Sequence, residues 1–346
     1  MKLSPKLRKT GNIIIRIAIV VIVYLYIYYE IFYRRDISIL SDLIKRMLEN
    51  KLSLTFFITA AVLMTANLLI EARKWQFLIS RAEKVTLFTA VKAVFTGLSV
   101  SIFTPNRIGE FFGRVFFLNK TKPIEGIFMT VIGSLSQLLV TLVMGSLGSA
   151  FFLMIYYPPY DFATRLMMGT LYVLGFVANI IFLGLYFNIS FITNLSKSFI
   201  KPQWKHMQHY IEVFSAYHTF ELLRVLLMSL LRYTVFSTQF FLFLKAFGVP
   251  ISLKEAMMII PVIYLITTSI PTIALSELGV RGSVSVFFIG FFMRGHAIGI
   301  VDLGLRVFAA STAIWLINIA LPALIGTFFV FHLRFIQKNG TDNDGE

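Results

Sequence analysis

The chain has no cysteine among its 346 residues. That excludes disulfides, thiolate catalysis and cysteine-ligated metals, and leaves the redox compartment unread. Charge is also scarce. Asp, Glu, Lys and Arg make up 14% of the residues, against about 25% in a typical soluble domain. No Ser/His/Asp grouping, paired-carboxylate acid–base site or phosphate loop is evident, so no enzyme is expected. What is abundant is hydrocarbon: 57% hydrophobic residues and a mean hydropathy of +0.79. This balance is that of an integral membrane protein with short loops.

A net charge of +15 raises the question of nucleic acid. The basic residues form no patch with interleaved aromatics. They stand in short segments between apolar runs, the positive-inside pattern, so no nucleic-acid partner is expected. The basic stretch "MKLSPKLRKTGN" precedes apolar Ile13–Tyr33. That run is longer than the roughly 7–15-residue core of a signal peptide and has no small-residue cleavage site after it. It reads as a retained first span with the N-terminus in the cytoplasm.

Six runs are long enough to span: Ile13–Tyr33, Ser53–Ile70, Ile124–Tyr156, Thr164–Asn188, Leu222–Phe247 and Leu303–Phe331. Two others are interrupted. Leu87–Phe103 is followed by Pro105 and Gly109, then Phe111–Leu118; Ala256–Ile270 is followed by Pro271 and Gly279, then Ser283–Met293. At about 1.5 Å per residue, neither piece after its break crosses a core of about 30 Å. If each broken piece dips in and returns, the loops holding Lys120 and Lys197 join Arg73, Lys74, Arg81 and Lys84 in the cytoplasm. The inside segments then carry more than twice the Lys and Arg of the outside ones. The basic cluster at 34–51 stays outside, on an interfacial helix with Ile37, Leu40, Ile44 and Leu48 along one face.

The expected fold is an all-α polytopic membrane protein. It has six spanning helices plus two re-entrant broken-helix hairpins, arranged as inverted repeats in a single integral membrane domain, residues 1–346. Repeat one covers 53–156, a linker 189–221 and repeat two 222–331; the polar tail 337–346 is expected to be disordered. Inverted repeats whose broken helices meet near mid-membrane are a transporter architecture. Broken backbone at that depth must face protein or a polar cavity.

The breaks carry the candidate site. In "SIFTPNRIGEFFGRVFF" (101–117), Pro105 and Gly109 allow a reversal, Arg107 lies in the turn, and Glu110 and Arg114 share a helix face four residues apart. In "SIPTIALSELGVRGSVSVFF" (269–288), Pro271 and Gly279 mark the break, and Glu277 and Arg281 repeat the spacing. Arginines beside the start of a half-helix suit an anion such as a phosphate. The competing reading is that each Glu–Arg pair only locks its hairpin. Arg232 and Gln239, seven apart on one face deep in a span, also point to the bundle interior. Gln137, Arg306 and Asn318 read as interhelical hydrogen-bonding groups, and Gly145 and Gly148 as close-packing positions. His206 and His209 have ligand-like spacing on what reads as a solvated helix, so no metal or other cofactor is expected.

"EARKWQFLI" at 71–79, "GLSVSIFTPNRIGEFFGRVFFL" at 97–118 and the second break together resemble the transmembrane domain of lysylphosphatidylglycerol synthases, a family of flippase-like proteins. The similarity covers nearly the whole chain. The family pattern places a glutamate directly after the second arginine. Here that position is Gly282, and whether Glu277 replaces the missing acid is left open. The chain ends without the soluble aminoacyl-transferase domain of the full-length synthases. The resemblance therefore implies lipid translocation rather than lipid aminoacylation.

The functional expectation joins the two lines. A multi-pass cell-membrane protein, both termini cytoplasmic, translocates a phospholipid or other phosphate-bearing lipid between leaflets. Arg107, Arg114, Arg232 and Arg281 hold the phosphate, with Gln239 beside them, and Glu110 and Glu277 balance charge or contact a cationic head group. The partners expected are a membrane lipid and a separate lipid-modifying enzyme. Two rivals stand: a membrane-embedded enzyme or accessory acting on polyprenyl-phosphate sugar lipids, and a small-anion transporter.

Overall fold

The computed structural model describes residues 21, 37–102, 104–156, 161–188, 217–272, 274–293 and 300–330. Among them the chain is helical, with no strand. The helices are α1 (Ile37–Glu49), α2 (Lys51–Ile79), α3 (Leu87–Ser101), α4 (Gly109–Val115), α5 (Pro123–Tyr156), α6 (Phe162–Phe187), α7 (Thr219–Ala246), α8 (Leu253–Ser269), α9 (Ala274–Phe292), α10 (Ile300–Trp315) and α11 (Leu321–Val330). A π-helical turn, Leu316–Ala320, joins the last two into one rod. Five elements are long and apolar enough to cross a membrane: α2, α5, α6, α7 and the α10–α11 rod. They overlap five of the six expected spans. Except for Val21, the sixth span lies outside the described residues, as do most of the linker, with Lys197, His206 and His209, and the tail.

Helix starts follow local capping chemistry. Asn50 Oδ1 accepts the N–H groups of Leu52 at 2.9 Å and Ser53 at 3.2 Å, opening α2. Thr86 caps α3, Asp161 caps α6, and Ser252 with Glu255 forms a capping box on α8. Each supplies an acceptor for a first-turn N–H that has no partner within the helix.

Helices α2 and α7 pack antiparallel, and the bonds between them show it. Arg81 meets Glu221, Lys74 Nζ lies 3.4 Å from Ser229 Oγ, and Gln239 Nε2 donates to the Ala60 carbonyl at 2.9 Å. Descending numbers on one helix meet ascending numbers on the other. Helix α5 serves as a spine for both halves. Gly126 lies against Val115 and Leu118 and Gly133 against Leu78, while Gly145 and Gly148 lie against Leu265 and Pro261 of α8. A Cβ at Gly145 would come within 2.5 Å of the Leu265 Cβ. These small residues permit close helix approach.

The first break is a tight reversal. Pro105–Arg107 form one 3-10 turn, with Asn106 at φ 49° and Arg107 at φ 60°. Thr104 Oγ1 accepts the Gly109 N–H at 2.8 Å. Beyond the turn α4 runs back along α3: a Cβ at Gly109 would come within 2.4 Å of the Val100 carbonyl oxygen, and one at Gly113 within 2.7 Å of the Gly97 Cα. Only glycine tolerates such backbone approach. At the base of this hairpin the Glu83 carboxylate accepts the N–H groups of Asn119, Lys120 and Thr121, the shortest bond being 2.8 Å. Burial weighs against its charged form, but those N–H groups hold the carboxyl below the ordinary carboxylate range.

The second break is simpler. Ile270 is extended at φ −96° and ψ 114°, as a residue before proline should be, and Pro271 stops the helix. The sequence reading placed Gly279 in this break. It lies instead inside α9, which begins at Ala274 and is 19 residues long, because Pro271 alone interrupts the run. Two other expectations change with α2. It extends to Ile79 rather than Ile70, and Lys74, assigned to a cytoplasmic loop, is 1% exposed inside the bundle.

The two breaks touch. The Asn106 N–H donates to the Thr272 carbonyl at 2.9 Å, and the Thr272 N–H donates to Asn106 Oδ1 at 3.2 Å. Two segments 166 residues apart are joined by a reciprocal pair of hydrogen bonds.

Candidate functional site

A cavity of about 190 Å³ lies beside the meeting point of the breaks. Its lining draws Asn67 and Glu71 from α2, Arg107 and Glu110 from the first break, Gln137 from α5, Arg232 from α7, Thr267 and Thr268 from α8, Arg281 from α9 and Asn318 from the π turn. Of the residues expected from sequence, Arg107, Glu110, Arg232 and Arg281 line it. Arg114, Glu277 and Gln239 stand behind that lining.

Glu71 is the centre of the ionic cluster, and the sequence reading gave it no role. Its carboxylate lies 2.8 Å from Lys74 Nζ, 2.8 Å from Arg114 Nη1 and 3.5 Å from Arg232 Nε. Arg114, 3% exposed, also bonds to Glu110 through Nη2. Two carboxylates therefore hold one guanidinium. Lys74 donates further to the Gly133 carbonyl at 3.2 Å. Neutralisation inside the protein is required here, since a charged side chain at membrane depth costs about 2.5–3.5 kcal/mol even on the lenient scale. Trp75, one residue on from Lys74, donates its Nε1–H to Thr130 at 3.0 Å, on the same inward strip.

Arg232 is held by amides as well as charge. Its Nε donates to Asn67 Oδ1 at 2.8 Å and its Nη1 to Gln137 Oε1 at 3.3 Å. Asn67 Nδ2 donates in turn to Asn318 Oδ1 at 3.1 Å and Gln239 Oε1 at 3.5 Å. Gln239 is thus a fully buried support, not a lining residue. The sequence reading of Gln137 and Asn318 as interhelical hydrogen-bonding groups matches these contacts, though both also face the cavity.

The second Glu–Arg pair differs. Arg281 Nη2 lies 2.5 Å from Glu277 Oε1. Among the described residues its Nε and Nη1 are buried with no hydrogen-bond partner, and its guanidinium carbon sits 5.6 Å from the centre of the Phe236 ring. Buried donors of a guanidinium are ordinarily met by acceptors. Packing at Gly282 is tight. A Cβ there would come within 2.4 Å of the Phe308 ring, so a glutamate at 282 would have to displace that ring. Glu277 is the carboxylate this half of the molecule holds against Arg281.

The assembled parts define a multi-pass helical membrane protein with a partly open, arginine-lined cavity beside the point where two broken helices meet. Residues 13–307 match the model of the family described as the lysylphosphatidylglycerol synthase TM region, and the chain belongs to that family. No curated protein and no solved structure matches it.

Proposed function

We propose that this protein translocates a phosphate-bearing lipid between leaflets and carries out no chemistry on it. The observation that carries the reading is the pair of arginines at the two breaks. Arg281 presents two buried unmet donors, and Arg107 faces the same cavity with no ion-pair or hydrogen-bond partner for its side chain among the described residues. Family membership supports a role with membrane lipid. The cavity lining reaches the molecular surface at Thr268, and the nearby Ile108 and Ile270 are 46% and 38% exposed. An apolar rim of this kind suits acyl chains left in the bilayer while the head group enters. It suits a soluble anion less well. Glu71, Glu110 and Glu277 each hold a cation, so none of these three is free as a base, which counts against the enzyme reading.

In this reading the α3–α4 and α8–α9 pairs are re-entrant hairpins from opposite faces of the cell membrane. At about 1.5 Å per residue α3 and α4 fall short of the roughly 30 Å of a bilayer core, whereas α8 and α9, at 17 and 19 residues, come to about 26 and 28 Å. Phe152, near the end of α5, packs on Phe288 and Phe291 of α9, whereas Leu118, just after α4, lies at Gly126 near the start of α5. The hairpin bases thus sit at opposite ends of that spine, as an inverted pair requires. Translocation is then a rocking of one hairpin against the other around the cavity. The loop holding Lys120 faces the cytoplasm, which single-cysteine labelling of Lys120→Cys in intact cells checks; labelling from outside reverses the orientation.

The test is purified protein in liposomes that contain a fluorescent phospholipid, with outer-leaflet quenching as the readout. Arg281→Gln and Arg107→Gln should each slow translocation about tenfold or more, the loss of one charge-assisted contact, with membrane abundance near normal. Wild-type rates in both variants overturn the assignment. A chemically altered lipid recovered from the liposomes would establish the enzyme reading instead.

A further inference from the structure

We propose that the cavity selects a small phosphomonoester head group carrying two negative charges, over the singly charged phosphodiesters of common membrane lipids. The proposal rests on the translocation reading above and goes beyond it by naming the head-group class. Charge bookkeeping carries it. Lys74 and Arg114 are offset by Glu71 and Glu110, with which they are paired; Glu110 is half-buried and, like Glu71, also faces the cavity. That leaves Arg107, Arg232 and Arg281 facing the cavity against one remaining carboxylate, Glu277. The set holds an excess of two positive charges.

At membrane depth, where uncompensated charge is costly, a ligand that brings negative charge meets that excess. A phosphodiester brings one negative charge and leaves one arginine uncompensated. A phosphomonoester brings about 1.5 to 2 at neutral pH, because its second ionisation lies near pH 6. The donors also match. The two unmet nitrogens of Arg281 and the unpartnered Arg107 side chain call for several acceptor oxygens on one small group, and a monoester has three terminal oxygens where a diester has two. Size points the same way. The cavity, at about 190 Å³, falls below the roughly 300 Å³ at which pockets begin to take drug-sized ligands. A phosphate with a few attached atoms fits; a sugar or an aminoacyl-glycerol head does not.

The experiment measures binding to the full-length protein in detergent, with phosphatidic acid, phosphatidylglycerol and phosphatidylethanolamine of matched acyl chains. Phosphatidic acid should bind about tenfold more tightly than phosphatidylglycerol, and Arg281→Gln should bring the two within about threefold. Where Arg281→Gln yields no folded protein, Arg107→Gln takes its place with the same expectation. Equal affinity for phosphatidic acid and phosphatidylglycerol, or preference for the latter, overturns the proposal while leaving translocation standing. Glycerol 3-phosphate and inorganic phosphate are measured alongside. Binding of either as tight as phosphatidic acid keeps the doubly charged ligand but makes it a soluble one, which overturns the lipid reading. No binding of any of them overturns both.

Discussion

The two breaks carry the same Glu-x-x-x-Arg spacing, yet the two pairs are in different electrostatic states. At the first break Arg114 lies between Glu110 and Glu71, and Glu71 also draws in Lys74 and Arg232. At the second, Arg281 has one carboxylate and two idle donors. A third residue from another helix makes the difference. Where Glu71 arrives, the pair becomes part of a closed lattice of charges; where no such residue arrives, the guanidinium stays available. A local motif thus fixes which side chains share a face, and the helix packed opposite decides what they are free to do.

Removing Glu71 should break the comparison most severely. Glu71→Gln leaves Lys74 and Arg232 without their shared counter-charge and Arg114 with one carboxylate. A loss of about 3–5 kcal/mol is expected, as for other broken buried ion clusters, seen as low yield and early thermal unfolding in detergent. Unfolding at the wild-type temperature would show that the lattice is not what holds α2 to α4.

Next come paired double-mutant cycles. The Glu110–Arg114 coupling in thermal stability should reach about 1–3 kcal/mol, and the Glu277–Arg281 coupling should be smaller. Glu110→Gln/Arg114→Gln should recover part of the folded protein that Arg114→Gln alone loses. Glu277→Gln/Arg281→Gln should fold nearly as well as wild type and fail in the leaflet assay. Equal couplings would erase the distinction drawn between the two pairs.

The smallest effect concerns how the first hairpin is anchored. Glu83 is held below its ordinary value by three backbone N–H groups. A depressed carboxyl stabilises the fold fully above the ordinary value of about 4.3, and that contribution fades as pH falls through the lower folded value. Thermal unfolding of wild type and Glu83→Gln should therefore differ slightly near neutral pH and converge in acid. A gap that widens in acid would mean the carboxylate is not the clamp.

Much of this was legible in the chain itself. Pro105, Pro271 and the repeated Glu–Arg spacing marked the breaks, because proline's missing N–H and four-residue spacing act locally. Glu71 and Lys74 were passed over because hydropathy ends the run at Ile70, although their i,i+3 spacing beside Trp75 is the signal of an inward strip. Apolar scoring cannot see that opposite charges, once paired, continue a buried helix. Gly279 misled in the other direction: glycine in a helix interior is tolerated, and only Pro271 forbids the helix. The Asn106–Thr272 contact joins residues too distant in sequence for any local rule to pair.

The π turn at Leu316–Ala320 has a consequence for the far end of its rod. There the Leu321 N–H reaches back to the Leu316 carbonyl, one residue further than α-helical bonding allows. The turn therefore holds one residue more than an α-helix would over the same rise. Regular α-helical bonding through the same residues would instead turn everything beyond by about 100° relative to α10. Gly326, whose absent side chain lets α11 close on the Phe95 carbonyl and Ser99, would give its place to Ile325. The extra residue thus works as a phase setting. It lets one rod present Asn318 to the cavity and a bare backbone to α3 eight residues later.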